Sequence, residues 1–265
     1  MTIYADLLRY RDLFGNLFRR DFQARYKGSA LGVFWSLANP LLLMAIYVLV
    51  FSLLWRVTDD IPHYPLYLLA GLAVWIFFSA SLQAAARSLL DNANLIRKTR
   101  FPRQLVPLST VATQLVTFGV MLVVLLVLNM ILIPEVRSTA WLALPLGLVF
   151  VCLVSGLAVA VAAANVVFRD VEHLVGVLLL PWFFLTPVLY RFDQLPGFDD
   201  HHALVQALRY GNPITPPIEA IRAPLWEGEL PRAGDVVYLV VAAVAALALG
   251  AWVFNRADDR IAVEL

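Results

Sequence analysis

Apolar residues run along this chain in long unbroken stretches, not in the alternating or one-sided patterns of soluble strands and helices. A bilayer-crossing helix needs roughly 20 mostly apolar residues. Six segments meet that need: 36–55, 64–86, 105–133, 141–167, 171–190 and 236–254. The third is long enough to tilt. The fifth is short and contains Pro181 and Pro187, which are expected to remove backbone hydrogen bonds and kink it. The pattern therefore predicts an all-α integral membrane fold with six transmembrane helices and no soluble domain.

The connecting segments have patterns of their own. Across residues 4–27, Tyr10, Phe14, Phe18, Phe22 and Tyr26 recur every four positions, joined by Leu7 and Leu17, while Arg11, Arg19, Arg20 and Arg25 point elsewhere. This describes an amphipathic helix lying in the membrane interface, weakened in the middle by Gly15 and Asn16. It reads either as an anchor that sets topology or as an anchor that also touches a partner protein. In the 87–104 loop, Leu89, Leu90, Leu95 and Ile96 adjoin Arg97, Lys98, Arg100 and Arg103, and Pro102 ends any helix there. That segment is a bare connector or a lever moved by a soluble domain. The long 191–235 loop holds two short apolar-sided helices, 203–210 and 218–226, parted by Asn212-Pro213 and Pro216-Pro217. Such a pair fits a re-entrant hairpin or one lying on the surface. Small-residue stripes at Gly156, Ala160 and Ala164, and at Ala242, Ala246 and Gly250, predict close helix packing.

Composition sharpens the picture. The chain is 61% hydrophobic and 15% charged, with a mean hydropathy of +0.78, against about 45–50% and 25% for soluble domains. A net charge of +1 argues against nucleic acid as a partner. Of the 20 Lys and Arg residues, fourteen fall before the first span, in 87–104, at Arg169 and after the last span; six fall on the opposite side. Both termini are thereby expected in the cytoplasm. The first thirty residues hold six basic side chains and no uninterrupted apolar core, so the amino terminus is expected to stay with the mature protein. Cys152 is the one cysteine and carries no redox information.

The spans hold almost no ionisable groups; Arg56, Asp59, Arg169 and Asp170 lie at their ends. Proton or sodium coupling through the bilayer is therefore not expected. No phosphate-cradling glycine loop followed by Lys-Ser or Lys-Thr occurs, so the chain is not itself a P-loop ATPase, and if it carries out active transport the energy must arrive from another chain. Asp199, Asp200, His201 and His202 are the one dense group of metal-ligand types, but adjacent histidines seldom converge on one ion and no metal site is expected. His63 and His173 read as interfacial polar residues, and Glu219 with Arg222 as a local i,i+3 pair, with substrate steering as its alternative. Trp75, Phe78, Trp182, Phe183 and Tyr190 are candidates to face a substrate path, since sugar C–H faces stack on neutral rings; interfacial belt residues have the same spacing. A membrane enzyme would want a carboxylate or His pair beside a cleft, and only Asp193, Asp199 and Asp200 could serve.

The run Arg20-Asp21-Phe22-Gln23-Ala24-Arg25-Tyr26-Lys27-Gly28-Ser29-Ala30-Leu31-Gly32-Val33-Phe34-Trp35, with Pro40 after it, resembles the type-2 ABC exporter permeases of the polysaccharide class. These are the membrane subunits of O-antigen, capsule and teichoic-acid exporters. Asn94-Leu95-Ile96-Arg97-Lys98-Thr99-Arg100-Phe101-Pro102-Arg103 is similar to that family's loop between spans two and three, and Asn212-Pro213 to a third familiar position. The resemblance implies a homodimer in the inner membrane, bound to two copies of a separate ATPase subunit that holds ATP and Mg, with no cofactor in this chain. It implies a coupling helix in which Asn94, Leu95, Ile96, Arg97, Lys98 and Arg100 contact the ATPase, and an interface helix bearing Phe14, Phe18, Arg19, Arg20, Phe22, Arg25, Tyr26 and Lys27 among membrane lipids. The substrate implied is a lipid-linked glycan; given that, basic residues at the cytoplasmic interface make Arg20, Arg25 and Lys27 candidates for guiding its anionic head. A permease for drugs or small lipids would share this topology.

Overall fold

The long apolar runs become long helices. The structure is a computed structural model that describes residues 9–28, 32–54, 61–99, 101–191 and 202–264. Leu7, residues 29–31, Arg56, Asp59, Arg100, Asp193, Asp199, Asp200 and His201 lie outside those residues. In chain order the helices are α1 (Arg11–Tyr26), α2 (Trp35–Tyr47), α3 (Tyr64–Asp91), α4 (Ala93–Lys98), α5 (Leu105–Leu132), α6 (Ala143–Val167), α7 (Asp170–Leu185), α8 (His202–Gly211), α9 (Thr215–Arg222) and α10 (Ala233–Glu264). No strand occurs among the described residues.

Four of these helices are long and apolar enough to cross a membrane: α3, α5, α6 with the 3₁₀ turn before it, and α10. The first and fifth apolar segments form shorter helices. α2 carries Pro40 inside it and passes into a π-helical stretch, Val48–Leu54. α7 stops at Leu185, because Pro187 disfavours helical backbone at the residue before it and Thr186 is extended, with ψ 134°. Pro181 remains inside α7. The second short helix of the 191–235 loop starts at Thr215, earlier than its apolar pattern suggests, since Pro216 and Pro217 fit a first turn that needs no N–H donors.

α3 is the centre of the bundle. Of its apolar window 78% is buried, against 22% for α10, so α10 lies at the periphery. α3 packs on α5 and α6, with Phe77 stacked on Phe118 at 4.8 Å and edge-on to Phe150 at 6.0 Å. The broadest pairing joins α6 to α10. There Gly156 sits directly on the backbone of Ala246 and Leu247, so the two small-residue stripes do meet. A second core closes the end of the bundle where α1 and α4 lie. It joins Leu17 of α1, Leu89 of α3, Ile96 of α4, Leu105 of α5, Val166 of α6 and Phe254 of α10.

The surface is apolar where a soluble protein's would be polar. Leu42 on α2, Val177 and Leu180 on α7, and Val241 and Val244 on α10 are all more than half exposed. Together with the four long apolar helices, these faces make the chain a multi-pass membrane protein.

Candidate functional site

Two regions bring together side chains that the helix bundle alone does not require: the end around α4, and the opposite end around α8 and α9.

α4 has only six residues and depends on its neighbours for its position. The Asn92 carbonyl accepts from the amides of Leu95 and Ile96, each at 3.0 Å, and its side-chain amide donates to the Ser88 carbonyl at 2.8 Å. Arg20 of α1 donates to the Asn92 side-chain oxygen at 2.7 Å and pairs with Asp21 at 2.7 Å. Asp21 in turn accepts from Ser109 of α5 at 3.3 Å. One polar chain therefore joins α1, α4 and α5. Within α4, Ile96 is buried and Leu95 half-buried, while Asn94, Arg97 and Lys98 are exposed. The short helix presents basic groups outward from an apolar seat. On α1, Phe14, Phe18, Phe22 and Tyr26 are half-buried, with Phe18–Phe22 and Phe22–Tyr26 ring contacts at 5.8 and 5.0 Å. Arg19, Arg20, Arg25 and Lys27 are exposed, and Arg25 bonds Gln114 of α5. A groove of about 760 Å³ runs along α1 between Asn16 and Lys27.

Further bonds tie α7 into this end. Asn165 of α6 donates to the Ala86 carbonyl at 2.7 Å and accepts from the Glu172 amide at 2.9 Å, and Arg87 pairs with Glu172 at 3.1 Å.

At the other end, α9 and the π-helical turn Ala223–Glu227 that follows it are buried among α3, α5, α6 and α10. Asn129 of α5 donates to the Leu225 carbonyl at 2.8 Å, and Thr139 to the Pro224 carbonyl at 2.9 Å. The Trp226 indole donates to Pro62 at 3.0 Å. Gly228, at φ +71°, lets the chain turn against the Glu135 backbone, where a Cβ would come within 3.0 Å. Asn212 fastens the α8–α9 turn to the end of α7. Its side-chain oxygen accepts from the Trp182 indole at 2.9 Å and the Ile214 amide at 3.1 Å, and its amide donates to the Thr186 hydroxyl at 2.8 Å.

Arg222 is the residue that sequence reasoning undervalued. It does pair with Glu219, at 3.2 Å, but its side chain is only 2% exposed and reaches much further. It also donates to the Tyr67 hydroxyl at 2.8 Å and to the Pro187 and Val188 carbonyls at 3.0 and 3.4 Å. The guanidinium carbon lies 3.8 Å from the Tyr67 ring centre. An arginine on the apolar side of the 218–226 segment, next to Ile218 and Ile221, was the available signal.

Between α8, α9 and the start of α10 lies a cavity of about 370 Å³ lined by Arg191, Arg209, Glu219, Glu227, Arg232 and Asp235 among others. Burial works against the Arg209 charge, but the hydrogen bond and charge of Asp235 outweigh it and hold the guanidinium above its ordinary range.

Four of the five candidate aromatics form one cluster joining α2, α3 and α7, and the Tyr190 hydroxyl donates to the Phe184 carbonyl at 3.2 Å beside it. Trp75 lies 5.6 Å from Phe78 and 5.5 Å from Phe183; Phe78 meets Trp182 edge-on at 5.2 Å; Phe183 stacks on Tyr47 at 6.0 Å. Phe78, Trp75 and Phe183 are buried, and Trp182 and Tyr190 half-buried. Phe184, next to them in the chain, presents its ring outward.

Residues 12–226 match the ABC-2 type transporter family, a stretch that includes α4 and both short helices α8 and α9. The chain is 35% identical over 272 residues to the O-antigen export system permease protein RfbA of Myxococcus xanthus, covering 99% of this chain and 98% of that protein. It is 37% identical over 191 residues to a protein of the same name from Klebsiella pneumoniae, covering 70% and 71% of the two. The polysialic acid transport protein KpsM of Escherichia coli is 19% identical over 249 residues, covering 92% of each chain.

Proposed function

The chain belongs to the ABC-2 type transporter family, and from that premise we propose that it is the permease subunit of an ABC exporter carrying lipid-linked polysaccharide from the cytoplasm across the inner membrane. The observation that carries this reading is the near full-length similarity to an O-antigen export permease. It is a transport subunit and not an enzyme. ATP and Mg are bound by a separate subunit, because no phosphate-cradling motif occurs in this sequence.

Six crossings complete the topology. α2 and its π-helical continuation together run for 13 and 7 residues, which at about 1.5 Å per residue spans the ~30 Å hydrocarbon core. α7 rises for 16 residues, roughly 24 Å, and residues 186–190 after it make up the remaining depth. The basic α1–α4 end faces the cytoplasm with both termini, following the Lys and Arg distribution. α8 and α9 form the external hairpin. Burial of α9 among four other helices supports re-entry into the bilayer, where backbone is tolerated when protein surrounds it.

The exposed Asn94, Arg97 and Lys98, with Arg100, form the contact with the ATPase, while Leu95 and Ile96 seat α4 on the bundle. A push on α4 reaches the ends of α1, α3, α5, α6 and α10 through their shared core. It reaches α7 through Arg87–Glu172 and the Asn165 bonds. The uncovered apolar faces of α2 and α7 become the seam of a homodimer, and the polymer passes there beside Trp182, Tyr190 and Phe184. Arg19, Arg25 and Lys27, exposed at the interface, draw in the anionic lipid head. Arg20 is partly occupied by Asp21 and Asn92 and contributes more to holding α4.

The test is complementation of an export-deficient strain by this chain with and without its ATPase. Surface glycan that returns only with both supports the reading. Drug or small-lipid efflux without glycan would favour the other permease class.

A further inference from the structure

The four backbone carbonyls that follow α7 have no helix to receive them. Residues 187–190 continue past the extended Thr186, and an unpaired carbonyl in a low-dielectric setting is costly. Each is claimed by a side chain from another element. Arg222 donates to those of Pro187 and Val188, the Tyr64 hydroxyl to that of Leu189 at 3.1 Å, and the Tyr67 hydroxyl to that of Tyr190 at 2.7 Å. Arg222 also donates to the Tyr67 hydroxyl, so its two carbonyl bonds and that of Tyr67 form one unit, with the Tyr64 ring stacked on Tyr67 at 6.2 Å.

A separate observation shows that α3 makes room for the guanidinium. At Gly71 a Cβ would collide with the terminal nitrogen of Arg222 and come within 3.2 Å of the Val188 side chain. One N–H of Arg222, at Nε, is buried and unpaired. A charged group at this depth in a membrane protein is itself a pointer to function.

We propose that Arg222, seated against Gly71 and Tyr67, is a positioning residue that latches the outer end of α7 to the hairpin and so keeps the export path shut when no polymer is moving. This rests on the permease reading. α7 is bonded at its inner end to α3 and α6 and displays a free apolar face between. Its outer end is held by the carbonyl clamp together with the Asn212 bonds to Trp182 and Thr186, and releasing the clamp removes the fastening beyond Thr186 and loosens that end.

The test is ion flux from liposomes holding the complex of this chain with its ATPase, without nucleotide. Wild type is tight. Arg222→Met and Gly71→Ala, the second of which displaces the guanidinium without removing its charge, raise the flux at least about tenfold, the scale of one charge-assisted hydrogen bond lost from the closed state. Arg222→Lys, which keeps the charge and loses the fork, falls between. If Arg222→Met does not accumulate, Tyr67→Phe decides, since it removes one hydroxyl and leaves the ring. A lowered unfolding temperature with wild-type tightness in Tyr67→Phe and Gly71→Ala makes Arg222 merely structural and overturns the latch. Wild-type complex that moves no glycan with ATP sinks the permease reading instead, whatever the variants do.

Discussion

Replacing Gly156 by alanine adds one methyl group where α6 and α10 meet backbone to backbone. The new Cβ would overlap the Ala246 carbonyl and the Leu247 amide nitrogen, all backbone atoms with no rotamer to change. The strain can be relieved only by moving α10 away from α6 along their shared length, and overpacking of this kind costs about 1–3 kcal/mol. Against it stands the better helix propensity of alanine, worth up to about 1 kcal/mol. With no soft neighbour to yield, the strain falls in the upper part of its range and leaves a net loss of about 1–2 kcal/mol, a five- to thirtyfold drop in the folding equilibrium. Gly119 on α5 is the control, since a Cβ there meets nothing, and Gly119→Ala should gain up to about 1 kcal/mol. Thermal unfolding of the purified protein in detergent reads both. The single Cys152, half-buried on α6, reports opening through a thiol-reactive dye. If Gly156→Ala unfolds at or above the wild-type temperature, the close approach of α6 and α10 is wrong.

Other substitutions probe the two ends. Replacing Arg97, Lys98 and Arg100 together by alanine should leave folding nearly unchanged, since Arg97 and Lys98 are exposed. Measured side by side, ATP hydrolysis should continue while glycan export falls, and normal coupled export would refute the ATPase contact. Ile96→Ala empties part of the α1–α4 core and should cost about 2 kcal/mol or more by thermal unfolding. Asn212→Ala leaves the Trp182 indole and the Ile214 amide without a partner; a loss of about 2–3 kcal/mol is expected. Arg103→Ala breaks a pair with Asp258 whose partners are 26% and 55% exposed, and its effect should stay within about 1 kcal/mol and fade with added salt.

Periodicity made the bundle legible because membrane helices write their length directly into the sequence. α3, α5, α6 and α10 begin within a few residues of their apolar runs, and the Gly156 and Ala246 stripes meet as their spacing implied. The 87–104 segment was legible as amphipathic, but the resemblance grouped Leu95 and Ile96 with Arg97 and Lys98 as one contact set, and the structure parts them, with Ile96 buried and Arg97 and Lys98 exposed. Elsewhere local pattern was overridden. Hydropathy sees residues 171–190 as one run, but the helix ends before Pro187 because backbone sterics decide there. Arg222 looked like half of an i,i+3 pair because spacing reports only neighbours on one helix. Its other partners, Tyr67 and the carbonyls after α7, lie 155 and about 35 residues away, and no local signal carries them. Arg20 likewise looked like a free interfacial cation until α3 brought Asn92 beside it.

Everything turns on where the work comes from. Liposomes containing this chain, supplied with lipid-linked glycan outside at the face equivalent to the cytoplasm, measure it directly. Vectorial movement should appear only when the separate ATPase and ATP are both added, and stop when hydrolysis is blocked. Sustained uphill movement by the chain alone would mean that its helices capture energy themselves, and the account would fall.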